Sequence, residues 1–331
     1  MTDKERGILA DLRKKARAKT QKCYNPNCNN LAIRSHIQQA EGSIRDIASA
    51  DGKIIQLEDL DPRFNDMPYA FKEKGIKQKG DVLTFWGFCN SCDTLLFKSI
   101  EAKEIDFSLY KNQLLYSYRG FLSELYKQEY NIKWYELIFK SNNLSNEVKE
   151  SFSNLYNSFL IIIKMSKQTK FLFEQDLNGN TRNFDFIYLN LPKLEVCTST
   201  SYTLPVSISF DADQWQAIKS KETIPLINTP IFINLIPKDN QLNTILGCIS
   251  DKTLKGRIDV NKIERYNQKE QIKLISDILI KHVETWFVSK TLYNLWTQRK
   301  LEKEILKQIK KYRPAIMKRK NIKFNMFQDI I

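Results

Sequence analysis

Two close pairs of cysteines, Cys23-x4-Cys28 and Cys89-x2-Cys92, place four of the chain's six thiols in two short loops. No other feature constrains the N-terminal third as strongly. A loop with two to four residues between thiols lets both sulfurs reach one ion, and zinc takes four soft ligands at the corners of a tetrahedron. Sixty residues separate the pairs, so this is not a minimal finger. Two readings stand: a tetrathiolate zinc site beside the single Ser35-His36 dipeptide, or four ordinary reduced thiols. The N-terminus opens polar and charged, and the longest apolar run, Phe159 to Ile163 and on to Met165, is too short to cross a bilayer. A cytoplasmic protein with no membrane span is expected, and disulfides are rare in that compartment.

The chain has 331 residues, of which 42% are hydrophobic and 11% aromatic, with few glycines and prolines, so it is folded through most of its length and large enough for two or three modules. Its net charge is +14. Residues 1–22 hold eight basic side chains against three acidic ones and residues 298–331 hold eleven against three, so nearly all the excess lies at the two ends. A surface of that sign attracts polyanions and implies a nucleic-acid partner, unless the basic termini are solvated helix faces. The candidate phosphate contacts are Arg13, Lys14 and Lys15 at one end and Lys310, Lys311, Arg313, Lys318, Arg319 and Lys320 at the other.

Residues 4–19 read as a short basic helix. Leu31 to Ile37 and Val82 to Phe88 suit short strands, and Asp51-Gly52 is a hairpin signal. The second cysteine loop runs into a helical pattern from Thr94, with Cys92 and Asp93 in its first turn. A loop and hairpin giving two ligands, then a loop and helix start giving two more, is the layout of a treble-clef zinc module. Two long helical patterns follow, at about 107–139 and 144–175, the first with a buried face through Tyr110, Leu114, Tyr118, Phe121, Leu122 and Leu125. Short β-rich runs then appear at 184–191, 194–200, 204–210, 231–236 and 244–249, and helical patterns return from Val260 to Tyr312. The expected fold is α+β: a treble-clef zinc module with its basic helix in 1–104, a helical connector in 105–178, and in 179–331 an antiparallel β-rich domain with flanking helices and a basic tail.

The arrangement Cys23-x4-Cys28, Ser35-His36-Ile37 and Gly87-Phe88-Cys89-x2-Cys92-Asp93 resembles the zinc-containing HNH (ββα-metal) endonucleases over about residues 20–104. The resemblance implies a structural zinc on the four cysteines, His36 as the general base that activates water, and Asp93 as a ligand to a catalytic magnesium or manganese ion. It implies metal-dependent hydrolysis of phosphodiester bonds, with anti-phage defence in bacteria as a setting. Ser35 stands where the family usually carries Asp or His, and Thr84 is the nearest counterpart of its usual Asn. The chemistry is coherent by itself, since an imidazole titrates near neutrality and a divalent cation stabilises the charge that develops on a leaving oxygen.

His36 is also readable as a structural residue, a replacement zinc ligand or a phosphate contact. Glu101, one helix face on from Asp93, is a further carboxylate or a surface charge. Cys197 and Cys248 fall in separate strand candidates as buried small hydrophobes, and His282 is a packing residue on a helix. The competing function is a non-catalytic, zinc-stabilised protein that binds nucleic acid or assembles with a protein partner through its C-terminal domain.

Overall fold

The computed structural model describes all residues except 18–20, 39, 61–65, 77–82, 180, 205–219, 221–225, 227, 314–321 and 329–331. The expected strand at 204–210 and the basic residues Lys318, Arg319 and Lys320 therefore lie outside the described residues. Helix α1 (Asp3–Ala16) starts at a capping box in which Thr2 and Glu5 satisfy each other's backbone N–H groups. A short strand β1 (Arg34–His36) follows, then the hairpin strands β2 (Lys53–Asp59) and β3 (Tyr69–Gly75), strand β4 (Thr84–Trp86) and helix α2 (Asn90–Phe97). The Asp51-Gly52 turn is present, with Gly52 at φ +70°, but it leads into β2 from a 3-10 turn at Arg45–Ile47. The hairpin itself pairs β2 with β3, from Lys53↔Gly75 to Asp59↔Tyr69.

Two long helices, α3 (Tyr110–Lys140) and α4 (Asn146–Leu177), form an antiparallel pair broken where the sequence turns polar after Lys140, with Ser145 capping α4 through the Val148 N–H. Strands β5 (Phe184–Pro192), β6 (Val196–Thr203), β7 (Pro230–Lys238) and β8 (Gln241–Ile249) come next. The β7–β8 turn holds Asp239 and Asn240 at φ 54° and 61°, the left-handed pair that a two-residue hairpin needs. Helices α5 (Val260–Glu264) and α6 (Gln268–Lys281), the two-residue strand β9 (Phe287–Val288), and helices α7 (Lys290–Gln298) and α8 (Leu301–Tyr312) complete the described chain.

The sheet is antiparallel, in the order β3-β2-β9-β6-β7-β8-β5. Strand β9 joins its two parts, since Val288 pairs with Ile55 on one side and Val196 on the other. The sheet thus draws strands from both the first and the last of the expected segments. One face packs under α3 and α4, where Phe173 stacks on Phe184 at 4.1 Å and meets Phe232 edge-on at 5.1 Å. The other face packs under α6, α7 and α8, around Trp286 and Trp296. Strand β7 is buried from Ile231 to Pro237 because it lies under helices on both faces, which explains its unbroken apolar run.

Between residues 112 and 123 every side of α3 is buried. Gly120 makes this possible: a Cβ there would stand 2.9 Å from Ser199 Oγ and 3.0 Å from the Thr200 amide nitrogen. Alanine would favour the helix by about 1 kcal/mol over glycine, but at this position the backbone of β6 is the neighbour and has little room to move. Gly120→Ala should therefore destabilise the protein by about 1–3 kcal/mol in denaturant unfolding, as overpacked sites do. An unchanged or raised midpoint would show that α3 does not sit this closely on the sheet.

Candidate metal centre

The four paired cysteines converge. Residues 22–31 fold into a tight loop closed by the Lys22–Leu31 bridge, with the Cys23 N–H donating to Asn30 O at 3.0 Å and the Cys28 N–H to Asn25 O at 3.0 Å. The chain then returns beside itself, for β1 pairs with β4 in the register Arg34↔Trp86, Ser35↔Phe85 and His36↔Thr84. The Tyr24 N–H to Gly87 O bond (2.7 Å) and the Ile33 N–H to Phe88 O bond (2.7 Å) extend that pairing to the second cysteine loop. Cys89 is the N-cap of α2 and Cys92 lies in its first turn. All four sulfurs lie within 4.8 Å of one another, and Cys28 Sγ is 3.6 Å from Cys89 Sγ. Metal–sulfur bonds of about 2.3 Å in a tetrahedron put neighbouring sulfurs about 3.8 Å apart, so the cluster can hold a metal ion.

Its surroundings suit thiolates. The Cys89 N–H donates to Cys23 Sγ at 3.4 Å, Asn25 Nδ2 to Cys92 Sγ at 3.2 Å, and Asn30 Nδ2 to Cys89 Sγ at 3.9 Å. The Cys92 backbone N–H at the start of α2 holds the Cys89 thiol down, to about 6. Burial pushes Cys92 up to about 12 and Cys23 upward as well. Four sulfurs this close repel one another as anions, and a cation at their centre removes that penalty. The asparagines at 25 and 30 gain a purpose here that spacing alone did not reveal.

His36 is exposed on β1, and its neighbour Ser35 is buried, with Ser35 Oγ accepting the Phe88 N–H at 3.3 Å. Ser35 thereby braces the loop that delivers Cys89. Asp93 lies in the first turn of α2, but both its oxygens are held by Arg119 Nη2 at 3.3 Å. The same nitrogen donates to Glu101 Oε1 at 2.7 Å, and the guanidinium lies over the Phe97 ring at 4.0 Å. Arg119 is 1% exposed. Among the described residues the tetracysteine cluster is the one group of three or more His, Cys, Asp or Glu ligand atoms close enough to share an ion, so His36 and Asp93 join no second one.

The basic candidates divide. Lys14 and Lys15 are exposed, with Lys14 3.7 Å from Asp11. Arg13 is tied to α3, its Nε donating to the Tyr130 hydroxyl at 2.6 Å and its guanidinium over Trp134. Lys310 donates to Asp66 O at 2.7 Å, and Lys311 lies beside the Tyr312 ring. Arg313 bonds Asp59 at 2.7 Å and the carbonyls of Leu279, Ile280 and Val283, and lies over Tyr69. Two further arginines are exposed, Arg17 at the C-cap of α1 and Arg34 on β1. Arg17 sits over the Tyr130 ring at 5.1 Å and Arg34 over Trp86 at 5.7 Å.

Cys197 and Cys248 are buried, and burial pushes both thiols up. His282 stacks on Tyr202 at 4.7 Å, and burial lowers its pKa to about 4. A second concentration of charge, invisible in the spacing, gathers Asp59, Glu124, Lys127, Glu284 and Arg313 from four separate parts of the chain. Thr200 Oγ1 and Lys127 Nζ both donate to Glu124, at 2.7 and 2.8 Å. Desolvation, then the facing Glu124, raises the Glu284 carboxyl above its usual range, although the residue as a whole is exposed.

The fold and centre define an α+β protein with a tetracysteine cluster able to bind a metal ion, and no helix among the described residues is long and apolar enough to cross a membrane. No protein-family model, curated protein or solved structure matches the chain.

Purified protein should carry about one metal ion per chain by elemental analysis, and chelation should lower its melting temperature. Structural zinc contributes on the order of 10–16 kcal/mol to small zinc-finger peptides, so Cys89→Ser should be severely destabilising. A parent protein that is free of metal and indifferent to chelators would contradict the centre. For Glu284, the folded state binds the proton more tightly than the unfolded chain, so its favourable contribution is lost as pH rises through the raised pKa. Glu284→Gln should leave the melting temperature nearly unchanged in acid and raise it increasingly towards neutral pH; an equal shift at every pH would refute this.

Proposed function

We propose that the chain is a zinc-stabilised nucleic-acid-binding protein in which Cys23, Cys28, Cys89 and Cys92 hold a structural zinc ion in a treble-clef module. The observation that carries this reading is the commitment of Asp93 to Arg119 beside a closed set of four sulfurs. A structural zinc site needs four protein ligands and no open position, whereas a hydrolytic site must leave one for water. Polyanion binding is supported by the net charge of +14 and by the exposure of Lys14 and Lys15 on α1, Arg17 at its C-cap and Arg34 on β1. Arg34 over Trp86 offers both a cation and an aromatic edge, a pairing suited to phosphate and base together.

One observation favours the nuclease as a second reading. The His36 imidazole is exposed next to Arg34, and the four sulfurs already complete a metal's coordination, so His36 remains available as a base. Asp93 would then have to leave Arg119 to hold magnesium or manganese.

Fluorescence anisotropy with labelled DNA and RNA tests the first reading. Binding should weaken linearly on a log–log plot against salt, and Lys14→Glu combined with Lys15→Glu should weaken it about tenfold or more. Salt-independent binding, or affinity unchanged in that variant, would refute it. Supercoiled plasmid and structured RNA should remain intact in magnesium or manganese; cleavage that His36→Ala abolishes would establish the nuclease instead.

A further inference from the structure

Helix α2 carries half of the cysteine cluster but holds few contacts of its own. It is eight residues long, buries only Phe97, has no side-chain cap, and leaves Leu95 77% exposed. The backbone hydrogen bonds that fix the first cysteine pair reach across to Gly87 and Phe88 and so place Cys89, but they stop short of Cys92. Cys92 lies in the first turn of α2, so its place relative to Cys23 and Cys28 depends on how that helix is held.

Asp93, Phe97 and Glu101 follow one another at intervals of four, and all three meet one side chain, Arg119. A buried guanidinium is costly unless its charge is matched. Here it is matched by carboxylates at the start of α2 and just beyond its end, with the ring of Phe97 between them. All three bonds come from one nitrogen, Nη2, which the guanidinium plane over Phe97 holds between the two carboxylates. The backbone of Arg119 is in turn fixed by its neighbour Gly120, seated against Ser199 and Thr200 of β6. A chain of contacts therefore runs from the sheet through Gly120 and Arg119 to Asp93, the residue next to Cys92.

We infer that Arg119 is a positioning residue for the metal centre: it grips Asp93 and Glu101 and so holds the Cys89–Cys92 half of the tetrahedron in register with the Cys23–Cys28 half. The inference rests on the reading of the four cysteines as a metal centre. Arg119 touches no sulfur and acts through α2. Side chains that orient metal-bearing elements in this way typically change affinity by about 10–100-fold when replaced.

The test uses the full chain, stripped of metal and titrated with cobalt to read the thiolate–cobalt absorption band, then with zinc against a chromophoric chelator. Arg119→Met should weaken zinc binding by about 10–100-fold with the cobalt band retained. Arg119→Lys should recover only part of that loss, because an ammonium can donate to both carboxylates as Nη2 does but lacks the guanidinium plane that lies over Phe97 and fixes Nη2 between them. Asp93→Asn should also weaken binding, and the Asp93→Asn/Arg119→Met pair should lose less than the two single losses combined, as residues acting through one contact do. A mere packing role would lower the melting temperatures of metal-free and metal-loaded protein alike and leave zinc affinity within twofold of the parent, which would overturn the inference. If Arg119→Met does not fold, Arg119→Lys and Asp93→Asn carry the same comparison. A parent protein with no thiolate–cobalt band would overturn the metal centre itself, a result distinct from an intact band with unchanged affinity.

Discussion

The enclosure of α3 between residues 112 and 123 is the constraint on which the rest of the structure depends. A helix buried on every side must find partners for its polar side chains internally, and here most do, the Nε of Arg119 being left without one. Asn234 on β7 donates to Ser117 Oγ at 3.1 Å, Ser199 on β6 bonds the same asparagine, and Ser123 Oγ returns to Gly120 O. On the sheet side the helix needs a glycine; on the far side it presents Arg119. The cysteine-bearing segment, the long helices and the sheet are thus all referenced to one turn of helix, and a disturbance there is felt in each.

Gln38 makes a second link between the N-terminal segment and the sheet. Its Nε2 donates to Thr198 O at 2.8 Å and to Leu235 O at 3.0 Å, while its Oε1 accepts from the buried Cys197 thiol at 2.7 Å. A side chain with two donors and an acceptor fits a position where strand carbonyls and a thiol face inward. Together with β9, which stitches β2 to β6, it shows why the N-terminal third and the C-terminal strands are joined by hydrogen bonds as well as by apolar contact.

Much of this was legible in the sequence, for identifiable reasons. The pairs Cys23/Cys28 and Cys89/Cys92 are close in sequence, and their convergence follows from the strands that flank them. The long helices announced themselves by three- and four-residue spacing, and β7 and β8 by apolar runs around Lys238-Asp239-Asn240. Strand β9 was not legible, because a two-residue strand exists only through the neighbours that hold it. Strand β3 was hidden for another reason: Tyr69-Ala-Phe-Lys-Glu-Lys-Gly lies at the sheet edge, where charged residues are tolerated and periodicity fades. The Asp93-x3-Phe97-x3-Glu101 stripe was present in the sequence, but its meaning required Arg119, which sits on another helix.

Net charge also changes meaning once side chains have positions. A count of basic residues treats every arginine as surface, yet Arg119 is enclosed, Arg313 joins Asp59 to the carbonyls ending α6, and Arg13 binds the aromatic face of α3. Guanidinium groups serve such roles because they offer several donors in a plane and stack on rings. Lysines at 14 and 15 hold no such interior contacts and stay in water. The positive charge left in water is therefore smaller than the total and differently placed. It lies at Lys14 and Lys15 on α1 and at Arg17, the helix's C-cap, and Arg34 brings it to the strand that carries His36.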